Sequence, residues 1–358
     1  MGKRIVIMAG VTGGHVFPAL AVAEFLKEQG WQVSWLGTHK GLESRIVPES
    51  GIEIDWLSIS GIRGKGLASK LMAIFMLFKA CLQANKILRK RKPDVVLGMG
   101  GYVAGPGGLM ARILGIPLVI HEQNRIPGTT NRLLARFANQ VLQAFPKSFS
   151  MKLNAKHTGN PLRKRFTSAS VHERKQVEKE VRILIIGGSQ GAQILNNVVP
   201  EAIAEFRALN DKSITVKVIH QTGDALLSQV KDRYDALGVQ AKTSAFIDDM
   251  VDVYQWADLV ICRAGAMTVS EVSAMGLPAI FIPLPTAIDD HQAANARYLT
   301  DNGAALLLAQ SELNPEILAK YIIKTLKNSN EMRASTLSLA RIDATALVAS
   351  YCNAEAEI

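Results

Sequence analysis

One pattern occurs twice in this chain and leaves few folds open. Arg4-Ile5-Val6-Ile7-Met8-Ala9-Gly10 returns, 178 residues later, as Arg182-Ile183-Leu184-Ile185-Ile186-Gly187-Gly188, and in both places a glycine-rich turn leads into a helical pattern. A short, wholly apolar run feeding such a turn reads as a buried parallel strand followed by its crossover helix. Further runs of this kind lie at Val33–Leu36, Val95–Leu97, Pro117–Ile120, Val141–Phe145, Ile214–Ile219, Leu259–Cys262 and Ala279–Ile282, separated by amphipathic stretches such as Phe17–Gln29 and Ile194–Leu209. The fold class is α/β, wound twice. At 358 residues, two Rossmann-like units of similar size are expected. The polar stretch 167–180, following Gly159-Asn160-Pro161, marks the boundary, with the first unit over 1–161 and the second over 162–339. The tail after Asn330 reads as a terminal helix. Two such units face to face would leave a cleft at the carboxyl ends of their strands, where α/β sheets bind ligands.

Charge divides along the same line. Residues 1–161 hold 21 Lys and Arg against 8 Asp and Glu, a net of +13, whereas residues 162–358 hold 20 against 23, a net of −3. A field of one sign on one half suits a polyanionic partner, either nucleic acid or an anionic lipid surface. The basic stretches lack interleaved aromatics, which argues against nucleic acid. The longest uncharged apolar run, Leu71–Phe78, is far short of the roughly 20 residues of a spanning helix. No leader-like stretch precedes the first strand, so secretion is not expected. Cys81, Cys262 and Cys352 fit neither a disulfide framework nor a zinc knuckle.

The turns carry the chemistry. Gly10-Val11-Thr12-Gly13-Gly14-His15 has Thr12 where a dinucleotide fingerprint needs glycine, and no Gly-Lys-Ser/Thr follows to make a Walker loop. What remains is bare backbone that a ligand can approach, with His15 at a helix N-terminus. That positive helix end favours a neutral ring able to accept a proton, and the alternative is a histidine that caps its own helix. The second turn, Gly187-Gly188-Ser189-Gln190-Gly191-Ala192, offers backbone amides, a hydroxyl and a helix end together, a combination suited to a diphosphate. Six glycines crowd Gly98–Gly108, and His121-Glu122-Gln123-Asn124 ends a nearby strand. In Cys262–Glu271 the strand, turn and helix pattern recurs, placing Glu271 where a carboxylate could accept ribose hydroxyls. Asp289-Asp290 are more in keeping with a solvated loop than with a metal site. No Asp-x-Asp occurs, so no metal-chelated nucleotide sugar and no cofactor is expected, and leaving-group charge falls to helix ends and arginine.

In combination, Ala9–Pro18, Gly100-Gly101-Tyr102, His121–Asn124, Gly159–Arg163, Gly187–Ala192 and Thr268–Glu271 resemble the MurG family of GT-B glycosyltransferases, in the family's order and over essentially the full length. Val11 stands where that family usually has glycine, and Met267 where leucine is common. The resemblance implies an inverting transfer of N-acetylglucosamine from UDP-GlcNAc to the C4 hydroxyl of MurNAc in lipid I, giving lipid II for peptidoglycan. It also implies a C-terminal helix, from about residue 340, that returns to the first unit.

Roles follow by position. His15 would be the general base. Thr12, Gly13, Gly14 and Asn124 would approach the donor sugar and diphosphate, Arg163 and Ser189 would hold the diphosphate, and Ile247 beside Phe246 would form the uracil pocket. Ala266, Met267, Thr268, Val269, Ser270 and Glu271 would bind diphosphate and ribose, and Gln292 the N-acetylglucosamine. Tyr102, His121 and Glu122 would line the acceptor side. The segment Leu67–Lys92, with Leu71, Met72, Ile74, Phe75, Met76, Leu77 and Phe78 followed by Lys79, Lys86, Arg89, Lys90, Arg91 and Lys92, would seat the enzyme on an anionic membrane. The resemblance implies that this surface would be the cytoplasmic face of the bacterial inner membrane, with other cell-wall synthesis proteins as partners. Competing readings are a nucleic-acid-binding protein, a nicotinamide oxidoreductase lacking its fingerprint, and a UDP-sugar epimerase on the same fold.

Overall fold

The computed structural model describes residues 2–60, 67–169, 180–187, 193–210 and 214–357, with the side chains of 67–71 and 288 left aside. The chain forms two compact units, Met1–Lys164 with Arg341–Ile358, and Arg165–Ala340.

In the first unit, β1 (Arg4–Met8), β2 (Gln32–Gly37), β3 (Glu53–Trp56), β4 (Val95–Gly98), β5 (Leu118–Glu122), β6 (Gln140–Gln143) and β7 (Lys156–His157) form one parallel sheet in the order β3-β2-β1-β4-β5-β6-β7. The helices between them are α1 (Gly13–Glu28), α2 (Glu43–Glu49), α3 (Leu67–Arg91), α4 (Ala104–Ile113) and α5 (Thr129–Leu134). Strand order reverses between β1 and β4, which pair with Met8 opposite Gly98. Doubly wound sheets bind ligands beyond the carboxyl ends of the strands at such a reversal. The central strands are buried on both faces, as their unbroken Val, Ile and Leu runs require. Part of the glycine cluster serves packing: a Cβ on Gly107 would lie 2.2 Å from Met8 Sδ, so its absence lets α4 lie close on the sheet.

The second unit repeats the plan. Strands β8 (Glu180–Ile186), β9 (Thr215–Gln221), β10 (Gln240–Ser244), β11 (Leu259–Cys262), β12 (Ala279–Phe281) and β13 (Leu306–Leu307) lie parallel in the order β10-β9-β8-β11-β12-β13. Its helices are α6 (Lys164–Ser168), which begins at the boundary, α7 (Gln193–Leu209), α8 (Leu227–Ala236), α9 (Met250–Trp256), α10 (Ala266–Ala274), α11 (His291–Thr300), α12 (Pro315–Lys327) and α13 (Ser329–Ser338). The reversal falls between β8 and β11, where Ile186 pairs with Cys262.

The tail after Asn330 is not one helix: α13 closes the second unit, and α14 (Ala344–Glu355) returns to the first. There Val348, Ala349 and Cys352 are buried in the core formed with Val16, Leu20 and Leu26. The first unit runs on past residue 161 to Lys164 and includes β7, a strand with no apolar run to announce it. Of the polar stretch read as linker, 170–179 lie outside the described residues.

Candidate active site

Three backbone segments converge beyond β1, β4 and β5. The first turn ends in Thr12, the N-cap of α1, and Gly13 and Gly14 open the helix. The His15 N–H donates to Thr12 O at 3.1 Å, yet no side chain caps this helix. His15 therefore does not cap its own helix. Its Nδ1 instead meets Gln123 Oε1 at 2.9 Å. The second segment forms the floor beneath the ring: Gly100 has φ of +96°, and a Cβ there would lie 2.9 Å from both His15 Nδ1 and Cε1. The third is the end of β5. Gln123 Nε2 donates to His121 Nδ1 at 3.1 Å and to His121 O at 3.2 Å, and His121 Nε2 donates to Gly159 O at 2.9 Å.

Two buried carboxylates hold these loops. Glu122 accepts from Asn124 N (2.9 Å) and Nδ2 (3.3 Å) on one oxygen, and from Gly128 N (3.1 Å) and Asn131 Nδ2 (2.9 Å) on the other. Glu43 accepts from Val11 N (2.9 Å), Thr38 N (3.0 Å) and Thr38 Oγ1 (2.8 Å). Each removes backbone donors from solvent and fixes a turn. His121 and Glu122 were expected to line the acceptor side, but both are buried and engaged within the unit, so they position the loop rather than present surface. Burial lowers the His121 pKa to about 4, against a weaker upward pull from its bond to Gly159, and keeps the ring neutral at physiological pH. Thr12 and partly exposed Asn124 and Tyr102 remain at the surface of the loops. Arg163 belongs to this unit, its guanidinium 5.5 Å from the centre of the Phe17 ring on α1. Glu43 escaped the sequence reading, and Gln123 figured there only within the His121–Asn124 group, with no role of its own.

At the second unit's reversal, Ser189 and the rest of 188–192 lie outside the described residues. The facing turn leads through Gly265, the N-cap, into α10. The first turn of α10 aims its backbone amides, those of Met267 and Thr268 among them, toward that turn, the arrangement that receives anions. Val269 differs: its N–H already donates to Gly265 O at 2.9 Å and its side chain is buried, so it packs rather than contacts a ligand. Glu271 accepts from Tyr254 OH at 3.2 Å, with the Tyr254 ring edge-on to Phe166. Ser270 lies beside it, partly buried. Ile247 is buried and its N–H donates to Gln221 Oε1 at 3.2 Å, leaving Phe246, 56% exposed, as the open surface of that loop. Gln292 Oε1 accepts from Leu284 N at 2.9 Å, which turns its NH2 group to other acceptors. Arg263 braces the ends of two strands by donating to Ile282 O, Pro283 O and Gln310 Oε1. No group of three or more His, Cys, Asp or Glu side chains able to hold a metal ion occurs among the described residues.

Helix α3 has two apolar faces. Ala73, Ala80, Ala84 and Leu88 are buried, whereas Met72, Ile74, Phe75, Phe78 and Leu82 are exposed, Phe75 by 63% and Phe78 by 62%. Lys79, Lys86, Arg89, Lys90 and Lys92 are exposed on the same helix or just past it, but Arg91 is not available: it pairs with Asp55 at 2.6 Å and with Glu53. Beside α3 lies an apolar hollow of about 430 Å³ lined by Met76, Leu77, Tyr102, Leu109, Leu133 and Phe137. No helix among the described residues is long and apolar enough to cross a membrane.

Known proteins resemble both halves. Residues 5–143 match the glycosyltransferase family 28 N-terminal domain and residues 182–346 its C-terminal domain. A protein of Methylococcus capsulatus named UDP-N-acetylglucosamine–N-acetylmuramyl-(pentapeptide) pyrophosphoryl-undecaprenol N-acetylglucosamine transferase is 56% identical over 99% of each chain. A like-named protein of a Shewanella species is 47% identical over 99% of this chain and 98% of its own. The crystal structure of Acinetobacter baumannii MurG superposes with a TM-score of 0.85 at 42% identity, covering 98% of this chain and 99% of that one. Both halves matched in order, with identity this high along nearly the whole length, establish that the chain belongs to glycosyltransferase family 28 and, within it, to the MurG group.

Proposed function

We propose that this enzyme transfers N-acetylglucosamine from UDP-GlcNAc, with inversion, to the C4 hydroxyl of MurNAc in undecaprenyl-pyrophosphoryl-MurNAc-pentapeptide, giving lipid II. The observation that carries the residue roles is the placement of His15 at the first unit's strand reversal, with Nδ1 bound to Gln123 and the ring set among bare glycine backbone. His15 takes the proton of the attacking hydroxyl, a role typically worth ~10²- to 10⁴-fold in rate. Thr12, Gly13, Gly14 and Asn124 admit the donor sugar. A Cβ on Gly14 would have only Thr12 Oγ1 within 4 Å, at 3.8 Å, so packing does not demand a glycine there and close approach of a ligand does. The α10 amides, with Arg163 and Ser189, take the charge that grows on departing UDP, Glu271 the ribose hydroxyls, Ile247 and Phe246 the base, and Gln292 the sugar. Tyr102 faces the acceptor.

Purified protein given labelled UDP-GlcNAc and a lipid I analogue should move label into lipid, with or without chelator. His15→Ala should still bind UDP-GlcNAc but turn over at least ~10²-fold more slowly, and parental turnover would remove His15 from this role. Free N-acetylmannosamine instead of labelled lipid would favour the epimerase. The exposed apolar face of α3 and its cations support peripheral seating on the anionic cytoplasmic face of the inner membrane, each cation near the surface contributing about 1 kcal/mol.

A further inference from the structure

Catalysis by an imidazole base requires one nitrogen without a proton on the side of the substrate, and a neutral histidine has two tautomers to choose from. The hydrogen-bond chain behind His15 leaves no such choice. At its far end Gly159 O can only accept, so His121 carries its single proton on Nε2 and offers Nδ1 as an acceptor. Both His121 Nδ1 and His121 O then face the amide of Gln123, and two acceptors require its NH2 group there. The amide oxygen is thereby turned to His15, whose Nδ1 must hold the proton. The lone pair of His15 is left on Nε2, away from Gln123.

The geometry points to Gln123 as a positioning residue for the transfer reaction, relaying the fixed proton of His121 into the Nδ1–H tautomer of His15 so that Nε2 is always the proton acceptor. His121 and Gln123 are 0% and 1% exposed, so water does not compete for these bonds. The neutral state that burial imposes on His121 keeps Nδ1 an acceptor over the working pH range. A further bond, from Asn160 Nδ2 to Gln123 O at 3.2 Å, ties the same backbone to the Gly159-Asn160-Pro161 segment. Gly100 completes the arrangement, since a Cβ at that position would press on the ring atoms that make the bond and approach Gln123 Oε1 at 3.5 Å. When His15 takes the proton from the acceptor hydroxyl, the new N–H forms on Nε2 and the Nδ1–H bond to Gln123 is kept, so no second proton has to move.

The inference rests on His15 being the base, but its first test does not need turnover. Nitrogen-15 spectra of the imidazoles in the unmodified enzyme should show His15 protonated on Nδ1 and His121 on Nε2; His15 protonated on Nε2 would overturn the relay. The second test orders two variants. Gln123→Met keeps volume and apolar packing but loses both the acceptor and the donor, whereas Gln123→Glu gives up the donor to His121 and places a charge in a buried position but keeps an acceptor for Nδ1. A packing role predicts that the methionine enzyme is the better one. The relay predicts the reverse, with kcat of Gln123→Met reduced ~10- to 10²-fold, no more than the lower end of the ~10²- to 10⁴-fold that loss of a general base itself costs, at unchanged KM for UDP-GlcNAc. Equal rates, or methionine above glutamate, would refute it. A lack of transfer by the unmodified enzyme would strike the functional reading instead and leave the tautomer measurement standing.

Discussion

Val11 has φ of +81°, a region that a β-branched residue enters only under constraint. The constraint is visible: Val11 N donates to the buried carboxylate of Glu43, and a Cβ on neighbouring Gly10 would lie 2.6 Å from the same carboxylate. Left-handed backbone costs a non-glycine residue roughly 1–2 kcal/mol, while glycine brings back about 0.5–1 kcal/mol of unfolded-state freedom. Val11→Gly should therefore stabilise the first unit by about 0.5–1 kcal/mol in denaturant unfolding, and Val11→Ala, which keeps the strain, should not. The sequence showed Val11 as a departure from the glycine usual in the family, and the dihedral gives the reason for that glycine. Glu43 and Gln123 could not be found the same way. Their partners are 32 and 108 residues away, and nothing local distinguishes a carboxylate or amide that will be buried from one that stays in water. Val269 shows the converse: helical phase alone turns it fully into the core from within the segment proposed to bind diphosphate and ribose.

Among the elements, the strands that apolar runs announced are all interior, and those that escaped notice lie at sheet edges. β3 and β7 flank the first sheet, and β10 and β13 the second. An edge strand has one neighbour and partial exposure, so Gln240-Ala241-Lys242-Thr243-Ser244 needs no unbroken hydrophobic stretch, and β7 and β13 are two residues each. Helix α3 was legible as an apolar and basic segment, but not which side chains turn outward. The small residues Ala73, Ala80 and Ala84 pack inward, which leaves the larger Phe75 and Phe78 in water. Replacing both phenylalanines by serine should leave unfolding within about 0.5 kcal/mol, since exposed positions away from packing or hydrogen-bonded features tolerate change. The same change should weaken sedimentation with phosphatidylglycerol vesicles at low salt several-fold. Unaltered vesicle binding would remove α3 from the docking surface.

At the scale of the molecule, the repeat separated by 178 residues became two sheets that share one strand order apart from the added β7, each reversing beside a turn quoted from the sequence. Topology was thus readable from periodicity, whereas loop positions depended on buried polar partners. Each unit has a core of its own, but the first is not contiguous in sequence, because α14 supplies Val348, Ala349 and Cys352 to it. Burying a side chain of valine size contributes about 1.5–3 kcal/mol, and a domain's whole stability is only about 5–15 kcal/mol. A chain stopped after Ala340 should keep the calorimetric transition of the second unit and lose that of the first. Persistence of both transitions would show that α14 is dispensable.

The same helix sets an order of events during translation. The amino-terminal half emerges from the ribosome first, yet its hydrophobic interior stays open until α14 has followed it. The later half, already whole, can finish folding ahead of it. While α14 is still being made, the nascent amino-terminal half offers chaperones an unsealed surface along α1, and the lobe that carries His15 is completed after the other.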